Sequence, residues 1–141
     1  MKSEKRDRFR MQTLSNPVYI SPVRDLVFKL SLMFGFSREE AFDMKVVCGE
    51  ALSNIIRHAY GNTLNRPIFI EILKFEKYAE MRFRDFGLQK PIGKGLARDL
   101  TEYRERGLGL YLISQLTDYH FFDQSFQQGT LLTVKKRFSN D

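Results

Sequence analysis

The sequence predicts a two-layer α+β sandwich, a mostly antiparallel sheet with helices packed on one face. Three features point there. Residues of strand-like alternation open the chain, two helical runs follow before the next strand, and two later strand pairs close around short turns. With 141 residues the chain has the size of one domain, with its core at about residues 8–138, and can bury a real interior.

Each element follows from local chemistry. Arg8 to Leu14 alternate polar and apolar residues, which suits a half-buried strand. Ser21-Pro22 reads as a helix start, with serine as cap and proline at the first helical position. Val23, Leu26, Val27, Leu30 and Phe34 continue at helical spacing until Gly35. Ser37-Arg-Glu-Glu40 forms a capping-box pattern opening a longer helix to about Tyr60. Strands are expected at about 67–75 and 78–85, then a mobile, glycine-bearing loop over 87–106 with a short helix. Gly107-Leu108-Gly109 is expected to open a helix to about Thr117, and strands at about 119–124 and 130–138 flank the Gln127-Gln-Gly129 turn.

Composition narrows the classes. No apolar stretch approaches the roughly 20 residues of a membrane span, and the charged start lacks a signal-peptide core. The expectation is a cytoplasmic protein without a membrane partner. A single cysteine, Cys48, excludes an intramolecular disulfide and a cysteine-rich metal site. The net charge of +6 is concentrated in Lys2 to Arg10 and Lys135-Lys136-Arg137, without a basic stripe interleaved with exposed aromatics. Direct nucleic-acid binding is therefore not expected; basic ends also suit an acidic protein partner. The thirteen phenylalanines are expected to supply core, and His120 has the setting of a strand residue.

Three segments could carry chemistry. Glu50, Asn54 and His58 recur every four residues and share one helix stripe, with Arg57 beside it. Such a stripe lines a pocket or forms the solvated face of an amphipathic helix. In a pocket, Glu50 suits a general base and Asn54 an oxygen ligand for magnesium. Asp85-Phe86-Gly87 ends a strand, where a carboxylate can accept from an amino group such as that of adenine. Gly107-Leu108-Gly109 at a helix start would offer bare N–H groups to phosphate. Leu112 stands where a dinucleotide fingerprint needs its third glycine, which argues against a Rossmann site.

In order and spacing these segments resemble the GHKL ATPase superfamily, over residues 10 to 138. Glu50-x-x-x-Asn54 with His58-Ala-Tyr60 is similar to its N-box, Asp85-x-Gly87 to its G1 box, Gly107-x-Gly109 to its G2 box, and Gly129-Thr130 to its final Gly-Thr element. The N-box and Gly107-Leu-Gly-Leu-Tyr-Leu-Ile most resemble the anti-sigma serine-kinase branch of bacterial partner-switching systems. The resemblance implies a Bergerat-type ATP-binding fold spanning 1–141, with ATP and Mg2+ as cofactors. It implies Glu50 as the catalytic base and Asn54 as the magnesium ligand. Asp85 with Thr130 would read adenine, Gly87, Gly107, Leu108 and Gly109 would wrap the nucleotide, and Arg104 or Arg106 would contact a phosphate. His58 and Tyr60 have no evident chemical task.

The implied partners are a STAS-domain anti-anti-sigma protein, an RNA polymerase sigma factor, and a second copy in a homodimer. With only His58 and His120, neither upstream of the N-box, a self-contained histidine kinase is not expected. A nucleotide-sensing switch with little turnover, docking onto a phosphatase or STAS partner, is the alternative. It is favoured by one departure: Gln89 stands where the G1 box carries a second glycine. A side chain there changes how the following segment leaves the sheet.

Overall fold

The computed structural model describes residues 7–91 and 100–139, and of 100–106 the backbone alone. Along the chain run β1 (Asp7–Leu14), α1 (Ile20–Phe34), α2 (Arg38–Asn54), β2 (Pro67–Lys74), β3 (Tyr78–Arg84), α3 (Leu100–Leu116), β4 (Tyr119–Asp123) and β5 (Leu131–Arg137). The sheet order is β1-β2-β3-β5-β4, and every neighbouring pair is antiparallel. This is the α+β sandwich expected from the element order.

One face of the sheet is apolar. Ile68, Ile70 and Ile72 of β2, Met81 and Phe83 of β3, and Leu132 and Val134 of β5 are buried against Val27, Met44, Val47, Leu52 and Ile113 of the helices. The alternate residues carry charge: on β2, Glu71 accepts from Arg10 Nε at 2.7 Å and Arg82 Nη1 at 3.1 Å. The two-residue period of the strands thus puts the apolar core on one face, while on the other Leu73 and Glu80, paired across β2 and β3, are also buried. Cys48 lies in the core, as expected from its helix position.

The helix termini follow their capping chemistry. Ser37 Oγ accepts from Glu40 N at 3.1 Å while Glu40 Oε1 accepts from Ser37 N at 2.9 Å, the full capping box. Gly35 ends α1 in the left-handed region at φ 119°. The start of α1 differs from expectation. Asn16 Oδ1 accepts from Val18 N at 3.1 Å, and a 3-10 turn at Pro17–Tyr19 leads directly into the helix. Asn16-Pro17 thus supplies the cap and proline earlier than Ser21-Pro22, which fall in the first turn of α1, where a missing N–H is tolerated.

Two further expectations are corrected. The helix α3 begins at Leu100, so Gly107-Leu108-Gly109 lies within it and not at its start. Residues Thr101 to Arg106 are mostly good helix formers, and a helix once nucleated continues through glycines at a cost of about 1 kcal/mol each. Of the predicted 87–106 loop, residues 92–99 lie outside the described residues. The phenylalanines supply core only in part: Phe36, Phe75 and Phe83 are buried and Phe28, Phe34, Phe122 and Phe138 pack against the core, whereas Phe9, Phe42, Phe69, Phe121 and Phe126 are exposed. The buried face is instead filled mainly by aliphatic side chains.

Between β4 and β5 the chain turns at Gly129, whose φ is +80°. A Cβ there would collide with the carbonyl oxygen of Asp85. Urea unfolding should therefore show Ser37→Ala destabilised by about 1 kcal/mol through loss of the cap. Gly129→Ala should lose more, about 3 kcal/mol, because strain and overlap act together.

Candidate functional site

The site is built around the last turns of the second helix. After Asn54 the helix widens into a π turn, Ile55–Ala59, in which Tyr60 N donates to Ile55 O at 2.9 Å. The wider turn departs from the regular four-residue stripe. His58 is turned inward, 5% exposed, and lines a cavity together with Ala51, Asn54 and Ile55. The sheet contributes Phe83, Asp85, Thr130 and Leu132 to its walls, and Leu88, Lys90, Phe122 and Gln124 complete it. Asn54, Asp85 and Thr130, far apart in sequence, thus meet at one cavity. Asn54 Oδ1 is buried and makes no hydrogen bond among the described residues. A buried carbonyl oxygen without a donor fits the preference of magnesium for oxygen ligands. No cluster of three or more His, Cys, Asp or Glu able to hold a metal by itself occurs among the described residues.

Asp85 follows the end of β3 and is 3% exposed. Its Oδ1 accepts from Gly87 N at 2.9 Å, and its own N donates to Thr130 O at 3.0 Å. Burial pushes its carboxyl above the usual aspartate range, opposed by backbone hydrogen bonds from Gly87 and Thr130 and by the Arg84 charge. Gly87 is required by proximity: a Cβ there would overlap Ala59 O and come within 2.8 Å of Ala59 Cβ. The contact is held by Leu88 N donating to Ala59 O at 2.8 Å. Arg84 donates to Asp85 O and to Gln128 O, and lies over the rings of Phe86 and Phe126.

Glu50 does not line this cavity; it stands one turn earlier on α2, against α3. A Cβ on Gly109 would sit 3.1 Å from Glu50 Oε2, so the glycine gives the carboxylate its space. Gly107 lines an adjoining hollow of about 530 Å3, bounded also by Tyr111, His120, Phe122 and Gln124, and Leu108 points to solvent. The glycine pair thus lies beside the predicted base, but its N–H groups belong to a helix interior and are not bare phosphate donors. The side chains of Arg104 and Arg106 lie outside the described residues.

Three residues take structural roles at the site that the sequence does not assign. Tyr60 Oη donates to Pro67 O at 2.6 Å and accepts from Phe86 N at 2.8 Å, tying the end of the π turn to β2 and to the Asp85 segment. Gln89 Nε2 donates to the carbonyls of Phe126 at 2.7 Å and Gly129 at 2.8 Å, with Gln124 O at 3.2 Å. Gln124 Nε2 donates in turn to Lys90 O and Thr130 Oγ1, both at 3.1 Å. Gln89 was visible in sequence as a departure from the G1 pattern, whereas nothing local marks Gln124.

Comparison with known proteins agrees with this geometry. The profile described as "Histidine kinase-like ATPase domain" matches residues 14–136. The chain is 31% identical over 120 residues to a protein named serine-protein kinase RsbW from Listeria monocytogenes serovar 1/2a, covering 79% of this chain and 76% of that protein. It is 28% identical over 123 residues to the serine-protein kinase RsbW of Bacillus thuringiensis, covering 82% and 76%. With a matching profile over most of its length, a sandwich of the expected topology, and Asn54, Asp85 and Thr130 gathered at one cavity, this chain belongs to the histidine kinase-like ATPase domain family.

Proposed function

We propose that this chain is an anti-sigma-factor serine kinase. It binds Mg-ATP at the cavity beside α2 and phosphorylates a serine of a STAS-domain anti-anti-sigma protein; in its alternative association it sequesters an RNA polymerase sigma factor. The observation that carries the nucleotide reading is the buried, unpartnered Asn54 Oδ1 at a cavity shared with the Asp85 carboxylate. The kinase names of the relatives support serine as the acceptor.

The residues divide the work along α2. Asp85, ionised, accepts a hydrogen bond from the adenine amino group, and the Thr130 hydroxyl lies in the same wall. Asn54 supplies an oxygen to magnesium, which neutralises phosphate charge when bound. Glu50 lies four residues earlier, about 6 Å back along the helix axis, which orders the site as base pocket, phosphates, acceptor. Glu50 takes the proton of the incoming serine hydroxyl as its oxygen bonds to the γ-phosphorus. The bond from that phosphorus to the β–γ bridging oxygen breaks, and ADP leaves with the electron pair. Positioning and charge neutralisation account for most of such catalysis.

Incubation with Mg-ATP and the STAS protein encoded nearest its gene should yield phosphoserine on that protein. Glu50→Gln should slow transfer by about 100-fold or more while leaving ATP affinity within about threefold. Undiminished transfer by that variant removes Glu50 from the role. A second reading, a nucleotide-sensing switch that docks a phosphatase or STAS partner, draws on the contacts of Gln89 near the cavity; ATP binding without any phosphoserine selects it.

Asp85 also fixes a pH dependence. A protonated carboxyl loses acceptor capacity, and burial raises its pKa in the folded chain. ATP affinity should therefore weaken as pH falls, beginning at higher pH than an ordinary aspartate would give. Stability runs the other way: the folded state binds this proton more tightly than the unfolded state, so Asp85 contributes stability at low pH that is lost as pH rises through its folded pKa. Titration calorimetry with ATP, alongside thermal melts, from the ordinary aspartate pKa of ~3.9 up to neutral pH checks both signs.

A further inference from the structure

Gln89 and Gln124 make a set of hydrogen bonds that the catalytic reading leaves unused. Gln89 Nε2 lies within reach of three backbone carbonyls, which its two N–H groups share, the two shorter contacts being to Phe126 O and Gly129 O; this fixes that end of the side chain as the donor NH2. The carbonyls belong to residues 124, 126 and 129, in the connection from β4 to β5. Gln124 reaches the opposite way, to Lys90 O and to the hydroxyl oxygen of Thr130. Two amides therefore stitch the strand exit at 89–90 to the connection at 124–130, and one of them engages Thr130.

The cavity they close is small. Its enclosed space is about 20 Å3, room for about one water, and far below what an adenine ring requires. Something must move before a nucleotide enters. The helix wall, Ala51, Ile55 and His58, is buried in the packed interior, and the floor, Phe83 and Leu132, is fixed in paired strands. The remaining wall is the sutured one: Leu88 and Gln89 are exposed on one side, and residues 125–128 on the other.

We propose that Gln89 and Gln124 form a latch across the base pocket, which an adenine nucleotide must release in order to bind. The proposal rests on the nucleotide-site reading above. Gln89 is on this account a positioning residue: it touches backbone, not nucleotide, and acts by holding Thr130 and its neighbours in the closed arrangement. A site that is open only part of the time binds with its intrinsic affinity reduced by the open fraction. Gln89 therefore sets how readily this chain loads nucleotide, at a position where the G1 pattern has glycine.

The test is stopped-flow association of a fluorescent N-methylanthraniloyl-ATP, with calorimetric titration of ATP, on the full chain and on Gln89→Gly and Gln89→Ala. Both variants should associate about tenfold faster and bind several-fold more tightly, as expected for a larger open fraction. The melting temperature of the nucleotide-free protein should fall. A purely structural role for Gln89 would lower the melting temperature without speeding association. Association and affinity within about twofold of the parent, or weaker binding, would overturn the latch. Should Gln89→Gly fail to fold, Gln89→Ala gives the same readout while removing the same amide. Absence of ATP binding by the folded parent and by folded variants alike would instead overturn the nucleotide-site reading, and the latch with it.

Discussion

Desolvation works against every buried carboxylate, and Asp85 is buried just past the end of β3 with 3% of its surface exposed. Its charge is offset in part by the Gly87 N–H, by the backbone of Thr130 and by the neighbouring Arg84. Those contacts dictate the local path of the chain. For Gly87 N to reach the carboxylate, the chain must turn back against the end of the π turn, where no Cβ fits beside Ala59. For β5 to pair with the strand end, Gly129 must adopt a left-handed conformation against Asp85 O. Gly87 and Gly129 thus both serve packing around one aspartate.

The second helix connects this group to the rest of the site. Its π turn brings Ala59 and Tyr60 to the Asp85 segment, while the regular turns before it present Asn54 to the cavity and Glu50 to the face of α3. Tyr60 bonds both the start of β2 and the N–H of Phe86, which couples helix end, strand start and aspartate loop in one side chain. The absence of a Cβ at Gly109 likewise admits the Glu50 carboxylate between two helices. Since each of these positions lies on a helix or strand, or is pinned directly to one, the polar groups are held by the core and not by free loops.

Legibility in the sequence followed the range of the interactions. Ser37 with Glu40 and Gly35 are local, and the structure carries them as expected. The start of α1 was misplaced because Asn16-Pro17 and Ser21-Pro22 offer the same capping chemistry, and only the preceding 3-10 turn selects the first. The glycine pair of α3 was misplaced because glycine marks helix starts and ends more often than interiors, while here helix formers before it carried the helix through. The four-residue stripe put Glu50, Asn54 and His58 together, and Asn54 and His58 do line the cavity, whereas Glu50 stands against α3. Partners of Gln89 and Gln124 lie 34 to 40 residues away, apart from Thr130, six residues from Gln124, and no period or local pattern announces such pairs.

On the proposed function, the fold retains a costly buried charge because that charge reads the ligand. Asp85→Asn tests this directly, since asparagine keeps an oxygen for Gly87 N but loses the charge. ATP titration and thermal melting at pH 7 should show affinity reduced at least about tenfold, with a melting temperature equal to or above that of the parent chain. A lower melting temperature for Asp85→Asn with ATP affinity unchanged would contradict the proposal, because Asp85 would then be a structural residue and not the reader of the nucleotide.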